Sequence, residues 1–135
     1  MRRPDLRSFL AACLIVILAA SLVGGAEVIT AITKDQLKGS LTKPRLVIID
    51  VRTVHDWDAS QWKIQGAQRQ VASEVKEWMG QYPKDKVIVL YCASPNQATS
   101  AGVAQDLTSA GFKNVAILEG GWGEWALSEY PIEKK

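Results

Sequence analysis

Cys92 is the residue of this sequence best placed to do covalent chemistry. It directly follows the apolar, β-branched run Val87–Tyr91, which predicts a buried strand, and a helix is predicted shortly after it. Ligands of open α/β sheets bind beyond the carboxyl ends of the strands, and a helix N-terminus favours a thiolate over a thiol. The position indicates a nucleophilic cysteine. A cysteine packed at the strand end as a small hydrophobe is the alternative that the residues leave open.

The segment after Cys92 offers two helix starts. Ser94 is followed by Pro95 and, three residues on, by Gln97, which is the pattern of an N-cap, a proline in the first turn and a capping-box partner. Thr99 is the competing N-cap. We favour Thr99, because residues 92–98 would then form a loop that can curl around an anion and point several backbone N–H groups at it.

Other chemistries have little support in the pattern. Past residue 26 the chain offers one cysteine and one histidine, Cys92 and His55, too few for a typical zinc site. His55 lies beside acids and is interpreted as a solvated helix residue rather than part of a hydrolase triad. The serine-hydrolase and nucleotide-binding glycine motifs are missing from the sequence. We therefore predict neither a metal nor a cofactor.

The elements that would position Cys92 alternate between strands and helices. Leu46–Asp50, Val87–Tyr91 and Val115–Leu118 are continuous apolar runs, typical of strands covered on both faces. The alternation predicts an α/β domain over residues 27–135, with a mostly parallel sheet and helices on both faces. The five tryptophans are interpreted as core and lid packing. The predicted helices cover residues 33–41, 54–60, 72–79, 99–110 and 123–127.

Residues 1–26 have the layout of an export signal. Three arginines precede the uncharged stretch Ser8–Ala26, which ends in small residues. We favour cleavage after Ala26. An uncleaved membrane anchor is the main alternative, because this stretch approaches the ~20 residues that span a bilayer, and a lipoprotein modified at Cys13 is a third. The protein is predicted to be periplasmic or otherwise extracytoplasmic, touching a membrane only through this segment.

Composition supports one small globular domain. The chain has 135 residues, of which 47% are apolar and 22% charged, enough to bury a core. The net charge of +2 lies wholly in residues 1–26, so the domain itself is neutral. A neutral net charge argues against a nucleic-acid-binding domain, which needs a basic face, and we expect no nucleic-acid partner. With Cys92 as its one cysteine, the exported domain cannot form an internal disulfide.

Three segments of the sequence resemble the rhodanese homology domain, and their order and spacing match over residues 32–132. The resemblance implies a five-stranded, mostly parallel sheet and a sulfurtransferase or persulfide carrier. Cys92 would take a sulfane sulfur from a small sulfur-containing anion or a persulfide and pass it to a thiol or protein acceptor. The segments are Ile48-Ile49-Asp50-Val51-Arg52-Thr53 with Ile64-Gln65-Gly66-Ala67, then Val89-Leu90-Tyr91-Cys92, then Gly111-Phe112-Lys113-Asn114-Val115 with Leu118-Glu119-Gly120-Gly121 and Trp125.

The loop departs from the common family pattern C-R-x-G-x-R. From Cys92 to Ser100 it reads C-A-S-P-N-Q-A-T-S, without arginine or glycine. It is similar to the variant C-x-x-P-N-E-A-[ST]-S, with Gln97 in place of the acid. Phosphatase or arsenate reductase activity is disfavoured because position 98 is alanine and no loop arginine faces the transferring oxyanion. For the same reason we expect weak turnover of thiosulfate.

The resemblance also implies roles for residues around Cys92. Asp50 and Arg52 match a D-x-R element, interpreted as mainly an architectural charge pair. Contact of Arg52 with an anionic substrate is the alternative. Lys63 and Arg69 are more distant supporting candidates. The implied substrate-binding residues are Ala93, Ser94, Asn96, Gln97, Ala98 and Thr99.

A non-catalytic rhodanese-like module is the competing functional hypothesis. Such a module would bind a protein through the same pocket or through the tryptophan-rich rim. Retention of a cysteine in the loop favours the enzyme, whereas the absence of loop arginines favours the module.

Overall fold

A computed structural model describes residues 28–93 and 96–135. The predicted export segment, residues 1–26, lies outside the described residues, as do Ser94 and Pro95. Short 3-10 turns flank α3 on both sides. The elements are β1 (Thr30–Ile32), α1 (Lys34–Lys38), β2 (Leu46–Asp50), α2 (Val54–Asp58), β3 (Trp62–Ile64), β4 (Gln68–Arg69), α3 (Val75–Trp78), β5 (Val87–Tyr91), α4 (Ala98–Ser109), β6 (Asn114–Leu118), α5 (Gly121–Leu127) and β7 (Ile132–Lys134).

The central sheet has five strands in the order β1-β6-β5-β2-β4, and every pair in it is parallel. This confirms the predicted α/β fold with a mostly parallel sheet. Strand β5 lies in the middle of the sheet, with β2 on one side and β6 on the other. The residue that follows β5 therefore leaves the sheet at its centre. A separate antiparallel ribbon of β3 and β7, which the sequence did not predict, pairs Ile64 with Ile132.

The strands are apolar throughout because both faces of the sheet are covered. Ile88 and Leu90 of β5 face a core cluster that includes residues of α3 and α4, such as Trp78 and Leu107. Val89 and Tyr91 alternate to the other face. They pack in a second core cluster whose members are Leu37, Ile48, Ile64, Ala67, Val89, Tyr91, Leu118 and Trp125.

Several predicted helices end differently in the structure. The first, second and third are shorter than predicted, and α5 begins at Gly121, two residues before the predicted start. Both predicted N-caps of α4 are wrong: the helix begins at Ala98 and Gln97 is its N-cap. In the described part of the chain, no helix is long and apolar enough to cross a membrane.

Candidate active site

Cys92 lies at the carboxyl end of the central strand, between the segments that follow β2 and β6. Its side chain is buried, with 2% of the residue exposed. The sulfur Sγ lies 3.5 Å from the hydroxyl oxygen of Ser100. The backbone N–H of Trp122, in the first turn of α5, donates a 2.9 Å hydrogen bond to the carbonyl of Cys92. The loop is thus fixed to the chain that follows the neighbouring strand.

The chain reaches α4 through a turn built by side chains. Gln97 has left-handed backbone angles, φ 57° and ψ 21°, which a non-glycine residue adopts at a cost. Asn96 Oδ1 accepts a hydrogen bond from the backbone N–H of Ala98 at 3.2 Å, the geometry of an Asx turn. The Asn96 side chain takes one of the open N–H groups of the helix start, so neither Ser94 nor Thr99 is its N-cap. The anion-binding hypothesis for the loop stays a prediction.

Ser100 is the site residue that sequence reasoning missed. It is fully buried, and its hydroxyl lies between the Gln97 carbonyl, at 3.1 Å, and the sulfur of Cys92. Our candidates ended at Thr99. The signal that could have identified Ser100 was the final serine of the loop pattern. It is eight residues from the cysteine in sequence but beside it in space.

A buried polar network lies beneath the loop. The Arg52 guanidinium contacts the Asp50 carboxylate through Nε at 3.0 Å and through Nη2 at 2.6 Å, and both side chains are fully buried. Nη2 also donates to the Trp62 carbonyl at 3.0 Å. The Tyr91 hydroxyl donates to Asp50 at 2.5 Å and accepts the backbone N–H of Ile64 at 3.2 Å. Burial, followed by the charge of Asp50, raises the pKa of Tyr91 well above its usual value, so the phenol stays neutral.

Aromatic rings enclose the Arg52 guanidinium. Its central carbon lies 4.6 Å from the ring centroid of Trp122, 5.1 Å from that of Trp57 and 5.8 Å from that of Tyr91. Nη1 is the one buried side-chain nitrogen or oxygen in the described part of the chain without a hydrogen-bond partner. The ring faces offset part of that loss through cation–π attraction. Since Trp122 also holds the Cys92 carbonyl, Arg52 supports the loop from below.

The two distant candidates, Lys63 and Arg69, make their described contacts with residues outside the loop that follows Cys92. Lys63 forms an ion pair with Glu133 at 3.3 Å, between β3 and β7. Arg69 donates to the Asp50 carbonyl at 3.1 Å, and its guanidinium lies over the Trp57 ring at 5.0 Å. Desolvation by burial lowers the pKa of Arg69. Both cations therefore bond to residues around the buried polar network.

The remaining candidates lie on the loop itself. Ala93 and Thr99 are half-buried, while Asn96 and Ala98 are exposed. His55 is exposed on α2. Within residues 28–93 and 96–135, no group of three or more histidine, cysteine, aspartate or glutamate side chains could hold a metal ion.

Known proteins are similar to this chain in sequence and in fold. The model of the rhodanese-like domain matches residues 33–128. The chain belongs to the rhodanese-like domain family, which confirms the resemblance inferred from the sequence.

Two curated relatives and two solved structures illustrate the similarity. The chain is 28% identical over 107 residues to thiosulfate sulfurtransferase GlpE of Glaesserella parasuis, covering 79% of this chain and 95% of that protein. It is 33% identical over 105 residues to the probable adenylyltransferase/sulfurtransferase MoeZ of Mycobacterium tuberculosis, covering 76% of this chain but 26% of that protein.

Among solved structures, the rhodanese-like domain of an Anabaena protein has a TM-score of 0.66 at 26% identity, covering 80% of this chain and 81% of that one. A Rhodopseudomonas palustris protein described as a possible tyrosine phosphatase has a TM-score of 0.67 at 27% identity, covering 78% and 85%.

Proposed function

We propose that this protein is a sulfurtransferase or persulfide carrier that takes up sulfane sulfur on Cys92. The observation that carries the proposal is the position of the Cys92 sulfur, which lies at the centre of the sheet edge within hydrogen-bond distance of Ser100. Membership of the rhodanese-like family and a relative named as a thiosulfate sulfurtransferase support it. One of the similar structures is described as a possible tyrosine phosphatase. Phosphatase activity is disfavoured for this chain because position 98 is alanine, so no loop arginine stabilises the transferring oxyanion.

Sulfur transfer proceeds in two displacements. The Cys92 thiolate attacks the outer sulfur of the donor, so that a bond forms from Sγ to that sulfur. The donor's S–S bond breaks, and its electron pair leaves on sulfite when the donor is thiosulfate or on a thiolate when it is a persulfide. An acceptor thiolate then attacks the terminal sulfur and departs as a persulfide. Sγ takes back its electron pair, and no external oxidant or reductant is consumed.

Ser100 supplies a hydrogen bond to the charged form of the sulfur. A thiolate only accepts, so the Ser100 hydroxyl must be the donor of that contact once Cys92 has lost its proton. Turning from the Gln97 carbonyl costs little, because the backbone N–H of Ala101 still donates to that carbonyl at 2.9 Å. The hydroxyl thereby stabilises the nucleophile and the leaving sulfur of the second step.

Whole-protein mass spectrometry tests the proposal directly. The full chain is incubated with thiosulfate and, separately, with glutathione persulfide, and is then weighed before and after addition of a small thiol. We expect a gain of one sulfur atom that the thiol removes, in the wild type and in the matched control Cys13→Ser. Cys92→Ser should gain none.

Two outcomes would overturn the proposal. Sulfur carried equally by Cys92→Ser would move the chemistry elsewhere in the chain. A folded protein that gains sulfur from neither donor would instead favour the hypothesis of a non-catalytic protein-binding module. Trp62, which is 40% exposed, would be an aromatic residue on the rim of that binding surface.

We also propose that residues 1–26 direct export, with the domain beyond them extracytoplasmic. The charge and hydropathy pattern supports this proposal. N-terminal sequencing of the native protein tests it: a chain beginning at Glu27 indicates cleavage, a membrane-bound chain beginning at Met1 indicates an anchor, and an intact chain in the cytosol contradicts export.

A further inference from the structure

The amino-terminal edge of the central sheet carries a concentrated positive charge. Three loops, residues 42–45, 83–86 and 110–113, lead into β2, β5 and β6. Together they hold five cations against one acid, Asp85. Lys86 is half-buried and the other four are exposed. The cations are Lys43, Arg45, Lys84, Lys86 and Lys113.

The register of the sheet aligns three of these cations in a row. Leu46 pairs with Val87, and Val87 pairs with Asn114, at the start of three adjacent strands. The residues immediately before them are Arg45, Lys86 and Lys113. Neighbouring strands lie about 4.8 Å apart, so the row spans about 10 Å.

Backbone hydrogen bonds make this edge a fixed surface. Val87 N–H donates to the Arg45 carbonyl at 3.0 Å, and Lys113 N–H donates to the Lys84 carbonyl at 3.4 Å. Asp85 is the acid of the edge and lies beside Arg45, with Oδ2 3.7 Å from Nη2. Four cations remain uncompensated by acids of these three loops, in a domain that is neutral as a whole.

The apolar N-terminal segment joins the domain at this same edge. Strand β1 is parallel to β6, so its first residue, Thr30, lies toward the amino-terminal side of the sheet. Val28, Thr30 and Lys113 line one hollow, and Val28 is 92% exposed. The charge-free stretch of residues 8–26 therefore precedes the basic edge by only a few residues.

We infer that, in the chain that keeps residues 1–26 as an uncleaved anchor, the basic edge binds the anionic headgroups of the membrane that holds residues 8–26; this inference rests on the export proposal. A surface to which the chain is tethered so closely is present at high effective concentration, which favours a lipid over a free acidic polymer. Each lysine or arginine near an anionic bilayer strengthens association about fivefold. Cys92 lies six residues beyond Lys86 along β5, about 20 Å from the edge, and so faces the aqueous phase.

Lysine labelling of the full chain in vesicles tests the inference. The protein is reconstituted in vesicles of pure phosphatidylcholine or with phosphatidylglycerol added. Acetylation rates are measured for the edge lysines and for the controls Lys134 and Lys135 beside Trp62 and Trp57. We expect Lys43, Lys84 and Lys113 to react at least about fivefold more slowly in the anionic vesicles, an effect lost in high salt, with unchanged controls.

Charge removal sharpens the test. Lys84→Gln together with Lys113→Gln should weaken the docked orientation about 25-fold and restore labelling of Lys43 in anionic vesicles. Equal rates in both vesicle types, or protection of Lys134 and Lys135 instead, would overturn the inference. Protection by added heparin but not by anionic lipid would assign the edge to an acidic polymer. None of these outcomes depends on sulfur transfer at Cys92.

Discussion

The sulfur of Cys92 lies beside the hydroxyl of Ser100, which has a single proton to donate in a hydrogen bond. Ser100 offers that proton either to the Gln97 carbonyl or to the sulfur, and full burial protects the contact from competing water. Hydrogen bonds to charged groups contribute about 1.5–3 kcal/mol. A hydroxyl placed in this way should matter most when the sulfur is charged.

Ser100→Ala should therefore lower the rate of sulfur uptake by roughly 10- to 100-fold. Stopped mass-spectrometric assays of persulfide formation measure the rate. Thr108→Ala is the matched control, since that hydroxyl also bonds a carbonyl of α4, Ala104, at 2.8 Å but lies farther along the helix. An unchanged rate in Ser100→Ala would remove the hydroxyl from the mechanism.

Ionisation of Tyr91 makes the stability of the folded protein depend on pH in the alkaline range. Its pKa is raised in the folded protein, above the value of about 10 for an exposed tyrosine. The stability that this shift contributes is fully present below pH ~10 and is lost as pH rises further, because the unfolded chain then releases a proton that the folded chain retains. One such group lowers the free energy of unfolding by up to about 1.4 kcal/mol per pH unit.

Tyr91→Phe should flatten that alkaline loss. It should also cost about 1–3 kcal/mol at neutral pH, because the Ile64 N–H and Asp50 each lose a partner. Urea unfolding at pH 8 to 11 measures both effects. Parallel pH curves for variant and wild type would contradict the assignment.

Among the elements, the start of α4 is held by local side chains rather than by a glycine. Gln97→Gly should raise the free energy of unfolding by up to about 1 kcal/mol, because glycine adopts φ 57° without the steric cost that glutamine bears. The matched control is Gln105→Gly, at an exposed position inside the same helix. That change should lower the free energy of unfolding by about 1 kcal/mol. Urea titrations compare the two, and a destabilised Gln97→Gly would show that the glutamine side chain is itself needed.

Element prediction from the sequence succeeded where burial left a pattern. The bounds of β2 and β5 were predicted correctly, because strands covered on both faces are continuous apolar runs. Strand β4, Gln68–Arg69, could not be predicted, since two polar residues carry no periodicity. The start of α4 was misplaced because the Asn96 side chain takes the helix N–H group, a contact that depends on the path of the loop.

The candidate site could likewise be predicted from the sequence only in part. Cys92 was predicted from its place after a strand, and the D-x-R pair from the resemblance to the rhodanese homology domain. The enclosure of Arg52 by Trp57 and Trp122 joins residues from α2 and α5, so no local pattern contains it. The contact between Ser100 and the sulfur likewise requires the three-dimensional course of the loop.

At the scale of the whole molecule, residues 131–135 hold β3 and α5 together. The Pro131 carbonyl accepts the N–H of Gln65 at 3.2 Å and the indole N–H of the fully buried Trp125 at 3.0 Å. Deleting residues 131–135 should therefore lower the free energy of unfolding by at least about 2 kcal/mol, because a buried donor loses its partner along with the β3–β7 pairing. Denaturant unfolding measures the loss. Deleting Lys135 alone is the control, and equal stability of both shortened chains would contradict this role.

The order of strands in the sheet also bears on how the protein is made. Strand β1 pairs only with β6 in the central sheet, so the first strand of the domain has no partner until residues 114–118 have been synthesised. Parallel pairing over such a distance along the chain forms slowly. The segment next to residues 1–26 therefore stays unpaired until most of the domain has been synthesised. For a chain proposed to leave the cytoplasm, this delay gives a translocation channel time to capture it before the sheet closes.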